Sequence, residues 1–315
     1  MSISVIDAVS GAFERTRRML FEPFDIGKWF VLGFCAWLAY LGEGGGGGGG
    51  GNFPGPSGRS GGRGPSAEFQ DMIDWCREYL VFIIAGAVVL FLLLVAIWTV
   101  VTWLSSRGRF MFLDGVVKNR SAIVEPWHAF KTLANSLFWF RMVVAVIALA
   151  LTGAGVLAGA AIAWQELWAW DFGPKALAGL LTAVLVIVPV GLLWSLIGML
   201  LEDFVIPAMY LRGARTWAAW GIFGREILCG HVGAIIVFYL LKIVLAIGMG
   251  MIACLAVCCT CCIVALPYIG TVILLPLFVF ERCYSLYFVQ QVSPAWRLFQ
   301  DEPPPYVPAE SPPAA

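Results

Sequence analysis

The chain has 315 residues, of which 60% are hydrophobic and only 13% charged, with 20 Lys and Arg against 20 Asp and Glu and a mean hydropathy of +0.86. A soluble domain averages about 25% charged residues, so an ordinary water-soluble fold is excluded. The zero net charge carries no information about partners, because it averages differently charged faces. No nucleic-acid partner is expected.

Residues 1–28 read as an amphipathic helix on the cytoplasmic side, SVIDAVSGAFERTRRMLF being too charged for a secretory signal peptide. The first apolar run, Trp29–Leu41, spans a membrane only if it reaches back across Lys28 and Asp25. It would act as an uncleaved anchor and open a first hairpin over residues 29–104. Within that hairpin, residues 42–66 hold 14 glycines in 25 residues. No G-K-[ST] opens a helix there, so the loop is a disordered extracytoplasmic linker and not a phosphate cradle. EFQDMIDWCREYL, with Trp75, follows as a short surface helix.

Three later runs hold no formal charge: Leu80–Leu104, Met142–Trp164 and Ala176–Leu201. A bilayer core of about 30 Å needs about 20 helical residues, so each is long enough to span. Residues 105–201 form interfacial helices and a second hairpin, closed outside by the aromatic QELWAWDFGPK. Residues 202–291 repeat the pattern, with a tight hairpin between Gly233 and Phe288. The fold class is therefore all-α: a polytopic membrane bundle of six transmembrane helices, arranged as three parallel hairpin repeats with interfacial amphipathic helices. Basic residues divide fifteen to four between the two sides, which places both termini in the cytoplasm. The expected location is the bacterial cytoplasmic membrane.

The cytoplasmic connections resemble one another. Each even span continues past the membrane, turns, and starts a W-x-x-F helix: Trp127 with Phe130, Trp220 with Phe223, Trp296 with Phe299. Phe13 takes the tryptophan's place in a fourth copy. These pairs are candidate interfacial anchors, dipping into lipid while Arg or Lys meets phosphate; the alternative is that they cap the bundle. Residues 292–315 add the last such helix and a disordered proline-rich tail, in which PPPY fits a WW-ligand pattern of a kind that arises by chance. PFDIGK (Pro23–Lys28) matches the P-x-D-x-x-K motif of mitochondrial solute carriers. That motif should close each odd span, whereas here it stands once, ahead of the first.

Chemistry-bearing residues are few. His128 and His231 fall in no paired spacing and read as solvated or capping residues, and no catalytic set is present. The carboxylates Asp114, Glu202, Asp203 and Glu281 sit near the ends of even spans as anchors. Gly155, Gly159 and Ala163 repeat every four residues, which is small-residue helix packing. Lys242 lies nine residues into its span, where a charge must snorkel or find a partner. With the turn near Cys261 and Cys262, Lys242 and Glu281 reach the same depth, forming a candidate intramembrane ion pair. CLAVCCTCCIVALPYIG, with Cys254, Cys258, Cys259, Cys261 and Cys262, marks that turn. Cys254, Cys258 and Cys261 share a helix face as small apolar residues, while a disulfide or a thiolate-only metal site stays open. No metal, cofactor or catalytic residue is expected.

The block LPYIGTVILLPLFVFERCYSLYFVQQ (Leu266–Gln291) resembles an uncharacterised family of bacterial multi-pass membrane proteins. These are loosely of the type seen as the membrane domain of some glycerophosphodiester phosphodiesterases. FEPFDIGKWFVLGF and RFMFLDGVV extend the likeness more weakly. The resemblance implies a six-helix membrane fold and no activity, since the soluble phosphodiesterase barrel is absent. The functional expectation is a non-enzymatic integral membrane protein that binds lipid or a membrane-protein partner in envelope assembly. The alternative is a small-solute transporter or channel built on the three hairpins.

Overall fold

The computed structural model describes residues 5–42, 79–169, 173–260, 266–292 and 294–299. The glycine-rich loop beyond Gly42, the segment carrying Trp75, Cys261, Cys262 and the proline-rich tail lie outside the described residues. All regular structure among the described residues is helical.

Helix α1 (Val5–Phe21) is amphipathic. Ala8, Ala12, Arg15, Thr16, Met19 and Leu20 recur at helical spacing and are buried, while Ile6, Phe13 and Phe21 face outward. The chain then reverses into α2 (Ile26–Ala39), where the Asp25 carboxylate accepts from the Gly27 N–H at 2.8 Å as an N-cap. Lys28 closes the reversal by donating to Met19 O at 2.6 Å and Asn119 Oδ1 at 2.7 Å. PFDIGK is thus a turn and a cap. Four helical stretches are long and apolar enough to cross a membrane: Ile84–Val117, Lys131–Glu166, Pro174–Arg212 and Thr216–Cys259. The first lies in α3 (Leu80–Val117). After the short α4 (Val124–Ala129) comes α5 (Lys131–Ala169), and then α6 (Pro174–Leu200). A π turn, Leu201–Val205, carries α6 without a break into α7 (Ile206–Arg212). Gly213, at φ 61°, ends α7 in the left-handed conformation that glycine adopts without cost.

Helix α8 (Thr216–Ile222) passes through a second π turn, Phe223–Leu228, into α9 (Cys229–Cys259). The axis bends at Gly230, whose φ of 118° suits only glycine. Helices α10 (Pro267–Ile273) and α11 (Leu275–Val292) complete the fold, followed by a 3₁₀ turn at Pro294–Trp296.

The buried core is gathered at one end. It joins α1, α2, the last turns of α3, the start of α5, residues 201–209, residues 219–238 and α11 with Trp296–Phe299. Beyond it the helices run bare: from Ile84 to Trp98 every residue of α3 is exposed. Helices α5 and α6 form a close hairpin through Gly159 and Gly179, closed by the Glu166 carboxylate accepting from the Lys175 and Ala176 N–H groups.

The arrangement differs from six alternating spans. Helix α2 has 14 residues, about 21 Å, and falls short of the hydrocarbon thickness. It runs antiparallel to the end of α3, with Leu32 beside Gly115 and Ala39 beside Ser105 and Gly108. It runs parallel to α10 and α11, with Gly33 beside Thr271 and Val272 and Tyr40 beside Phe278. In a six-span alternation the first and last spans must oppose each other. The physical reason for the difference lies in glycine. Gly33 and Gly108 let three backbones approach closely, so α2 becomes a short central prop of the packed end, and the three hairpins are not equivalent.

Candidate functional site

The packed end contains a cluster of six ionised side chains. It is built on the first π turn. Successive residues of an α-helix point about 100° apart, and the π turn at Leu201–Val205 alters that spacing where Glu202 and Asp203 stand. Asp203 is buried there, and the Glu202 side chain, 18% exposed, is held between Arg109 and Arg282. Such π turns are frequent at functional sites.

Every carboxylate is paired with at least one cation, and Lys242 serves two of them. Glu202 bridges Arg109 Nη1 at 2.8 Å and Arg282 Nη1 at 3.0 Å, and Arg282 also donates to the Glu202 carbonyl at 2.6 Å. Asp203 accepts from Lys242 Nζ at 2.7 and 2.9 Å and from the Ser285 hydroxyl at 2.6 Å. Lys242 also reaches Glu281 Oε1 at 3.2 Å. The six named groups balance, three cations to three anions. Pairing is what allows them to be buried: an isolated charge in a low-dielectric interior costs several kcal/mol, which only a close partner with good geometry offsets. Arg109, Arg282 and the Asp203 side chain are each at most 3% exposed.

A second polar node fastens α3 to α7. The Asp114 carboxylate, fully buried, accepts from Lys118 at 2.8 Å, Arg120 at 2.8 Å and the Tyr210 hydroxyl at 2.8 Å. Glu125 shares Arg120 at 2.7 Å; together the two carboxylates hold the guanidinium ionised above its already high ordinary value. This node is a structural clasp.

Lys242 and Glu281, matched by depth in the sequence, are therefore neighbours in the structure, but Asp203 is the nearer and more buried partner of Lys242. The sequence reading treats Asp203 as an interfacial anchor and counts Arg109 and Arg282 as surface cations. All three are interior.

The W-x-x-F aromatics are placed differently from lipid anchors. Phe223, Trp296 and Phe299 are 2% exposed or less. Phe223 stacks on Phe204, Trp296 donates to Glu226 Oε2 at 2.9 Å, and Phe299 packs on Tyr287 beneath the Arg15 guanidinium. Trp127, Phe130 and Trp220 are half-buried, against Arg107, Phe110 and Phe140 respectively. Their rings cap the bundle because its end offers apolar grooves between helices. The aromatic that does face outward is Phe13 on α1, 65% exposed.

His128 is exposed, and His231 lies at the α9 bend. Cys254, Cys258 and Cys259 lie on the last two turns of α9. Among the described residues no group of three His, Cys, Asp or Glu side chains is arranged to hold a metal ion.

Regular structure that is wholly helical among the described residues, with four helices long and apolar enough to cross a bilayer, defines the class as a helical membrane protein. The chain belongs to a family of unknown function, DUF7544, whose model matches residues 3–292. No curated protein and no solved structure matches it.

Proposed function

We propose that this is a non-enzymatic integral membrane protein that binds a membrane lipid, one acyl chain of which lies in a lateral groove between α1, α9 and α11. The groove carries the reading. It has a volume of about 400 Å³ and an almost wholly apolar lining that includes Phe13, Val244, Gly248, Ile252, Leu277 and Phe280. Its walls continue the exposed apolar surface of α9, where Val244 and Ile252 are more than half exposed, so whatever enters comes from the hydrocarbon. Arg17, one turn along α1 from Phe13, also lines it, paired with Glu22 at 3.1 Å.

The basic connections support the orientation. Arg15 and Val117, and Arg212, Glu226 and Trp296, are drawn together in the packed end, which we assign to the cytoplasmic face of a cytoplasmic membrane. The bare surface of α3 from Ile84 to Trp98 is where a membrane-protein partner in envelope assembly would pack.

The second reading, a small-solute transporter or channel, has one observation in its favour. Arg282 Nε and Nη2 are buried and make no hydrogen bond to any described residue, a demand that a water or passing solute would satisfy. The lateral groove nevertheless favours lipid binding, since it opens along the exposed apolar face of α9.

Gly248 gives a clean test. A Cβ there meets no atom within 4 Å, and the same holds for Gly250, which does not line the groove. Protein carrying Gly248→Leu should fold normally and retain several-fold less phospholipid by native mass spectrometry, while Gly250→Leu retains the wild-type amount. Equal retention by both variants would overturn the groove.

A further inference from the structure

Arg107 stands in a corner of two indoles. Its guanidinium carbon lies 4.6 Å from the ring centroids of both Trp103, on the same helix α3, and Trp127 on α4. The two rings meet edge to face, with centroids 6.0 Å apart. This clamp holds the cation by π attraction and apolar cover, but it supplies no acceptor. Nε is buried with no hydrogen-bond partner among the described residues. Nη1 has the Trp127 carbonyl at 3.5 Å, beyond the usual hydrogen-bond distance.

Counter-charge is missing as well. The interior cations Arg109, Arg282 and Lys242 each bridge a carboxylate, and Arg120 bridges two. Arg107 is half-buried and bridges none among the described residues. A cation drawn out of water without a partner is costly. A fixed, unneutralised guanidinium therefore marks a place that an anion from outside the chain completes.

Its depth says which anion. The uncharged run of α3 ends at Leu104, three residues and about 4.5 Å before Arg107. The headgroup layer on each side of the hydrocarbon is about 5–8 Å thick, so Arg107 falls within it, at a level where indoles are enriched. Held by two rings, the side chain is not free to snorkel as a long cation usually does. A planar guanidinium engages two oxygens of a phosphate at once.

We infer that Arg107, clamped by Trp103 and Trp127, binds the phosphate of an anionic membrane phospholipid. The site is built from other residues than the α1–α9–α11 groove and does not rest on it. Inorganic phosphate offers the same oxygens, so the test separates lipid from free anion.

The full chain is purified in detergent and offered phosphatidylglycerol, phosphatidylcholine with the same acyl chains, or inorganic phosphate. Bound species are read by native mass spectrometry and stability by thermal unfolding. Wild type should retain phosphatidylglycerol over phosphatidylcholine and melt higher when it is added. Arg107→Gln should weaken that preference by about tenfold, the loss expected for one charge-assisted hydrogen bond. In lipid-free detergent it should melt close to wild type, because it breaks no ion pair. Arg107→Lys keeps the charge but not the planar fork and should fall between the two. Gly248→Leu should lower total phospholipid yet leave the preference intact, so a failure of the groove leaves this site standing. An Arg107→Gln protein that keeps the wild-type preference overturns the site. One that melts well below wild type without lipid assigns Arg107 to the fold and also overturns it. Displacement of phosphatidylglycerol by inorganic phosphate overturns the assignment to lipid. A preference lost in Gly248→Leu but kept in Arg107→Gln moves the anion to the other groove.

Discussion

Asp203→Ala is expected to lower the stability of the fold by about 3–5 kcal/mol, the usual result of removing one partner from a buried ion pair. The carboxylate is where Lys242 and Ser285 converge. Without it the Lys242 ammonium keeps only Glu281, at 3.2 Å, whose side chain is 35% exposed and better able to stay hydrated. The Ser285 hydroxyl would lose its shortest acceptor and fall back on the Glu281 carbonyl at 3.3 Å. Glu281→Gln should therefore cost much less than Asp203→Ala. Exchanging the whole pair, Asp203→Leu with Lys242→Met, should recover most of the loss, since a well-packed apolar pair replaces a buried ionic one at little net cost. Thermal unfolding of the four proteins in one detergent checks this. An Asp203→Ala protein that melts with wild type, or a double variant as unstable as the single, would show that the cluster is not held by this pair.

The same cluster shows what the sequence makes legible. Runs such as Met142–Trp164 announce membrane-length helices because nothing in them tolerates water or requires it. The depth match of Lys242 and Glu281 follows from counting residues either side of a turn, and it brings two true neighbours together. Asp203 escapes that method. It adjoins Glu202 at the end of an apolar run, where a carboxylate reads as an interfacial anchor. In the fold this stretch is a π turn within the packed core, and no periodicity in LEDFV signals it. Arg109 and Arg282 escape for a related reason. A count of basic residues by side treats each as solvated, whereas both lie under Glu202, on helices that are neighbours only in the fold. The W-x-x-F spacing identifies real cap residues, yet spacing alone does not say whether an indole faces lipid or protein. Trp296 is decided by Glu226, 70 residues away. The parallel run of α2 with α10 and α11 depends on close approach at Gly33, which reads as one small residue among many in an apolar run.

The α5–α6 hairpin gives the second large effect. Gly155, Gly159 and Ala163 meet Val186, Gly179 and Ala183 across the interface, a contact in which small residues let two helices in lipid come within van der Waals reach of each other's backbone. A Cβ at Gly159 would stand 2.5 Å from Gly179 O, and one at Gly179 would stand 2.8 Å from Ala163 Cβ and 3.3 Å from Ala163 N. The obstructing atoms are mostly backbone, so no side-chain rotation relieves them and the helices themselves must move apart. Gly179→Ala should therefore destabilise by about 1–3 kcal/mol, the cost of overpacking a close interface, and Gly179→Leu by more. Gly191→Leu on the same helix should be neutral or slightly stabilising, because its Cβ meets nothing within 4 Å and leucine is the better helix former. Comparing melting temperatures across Gly179→Ala, Gly179→Leu and Gly191→Leu separates interface contact from helix propensity. Propensity alone would raise all three. A graded fall along the Gly179 series, with Gly191→Leu unchanged, is the expected outcome; a Gly179→Leu protein as stable as wild type would mean that α5 and α6 are not in contact at this level.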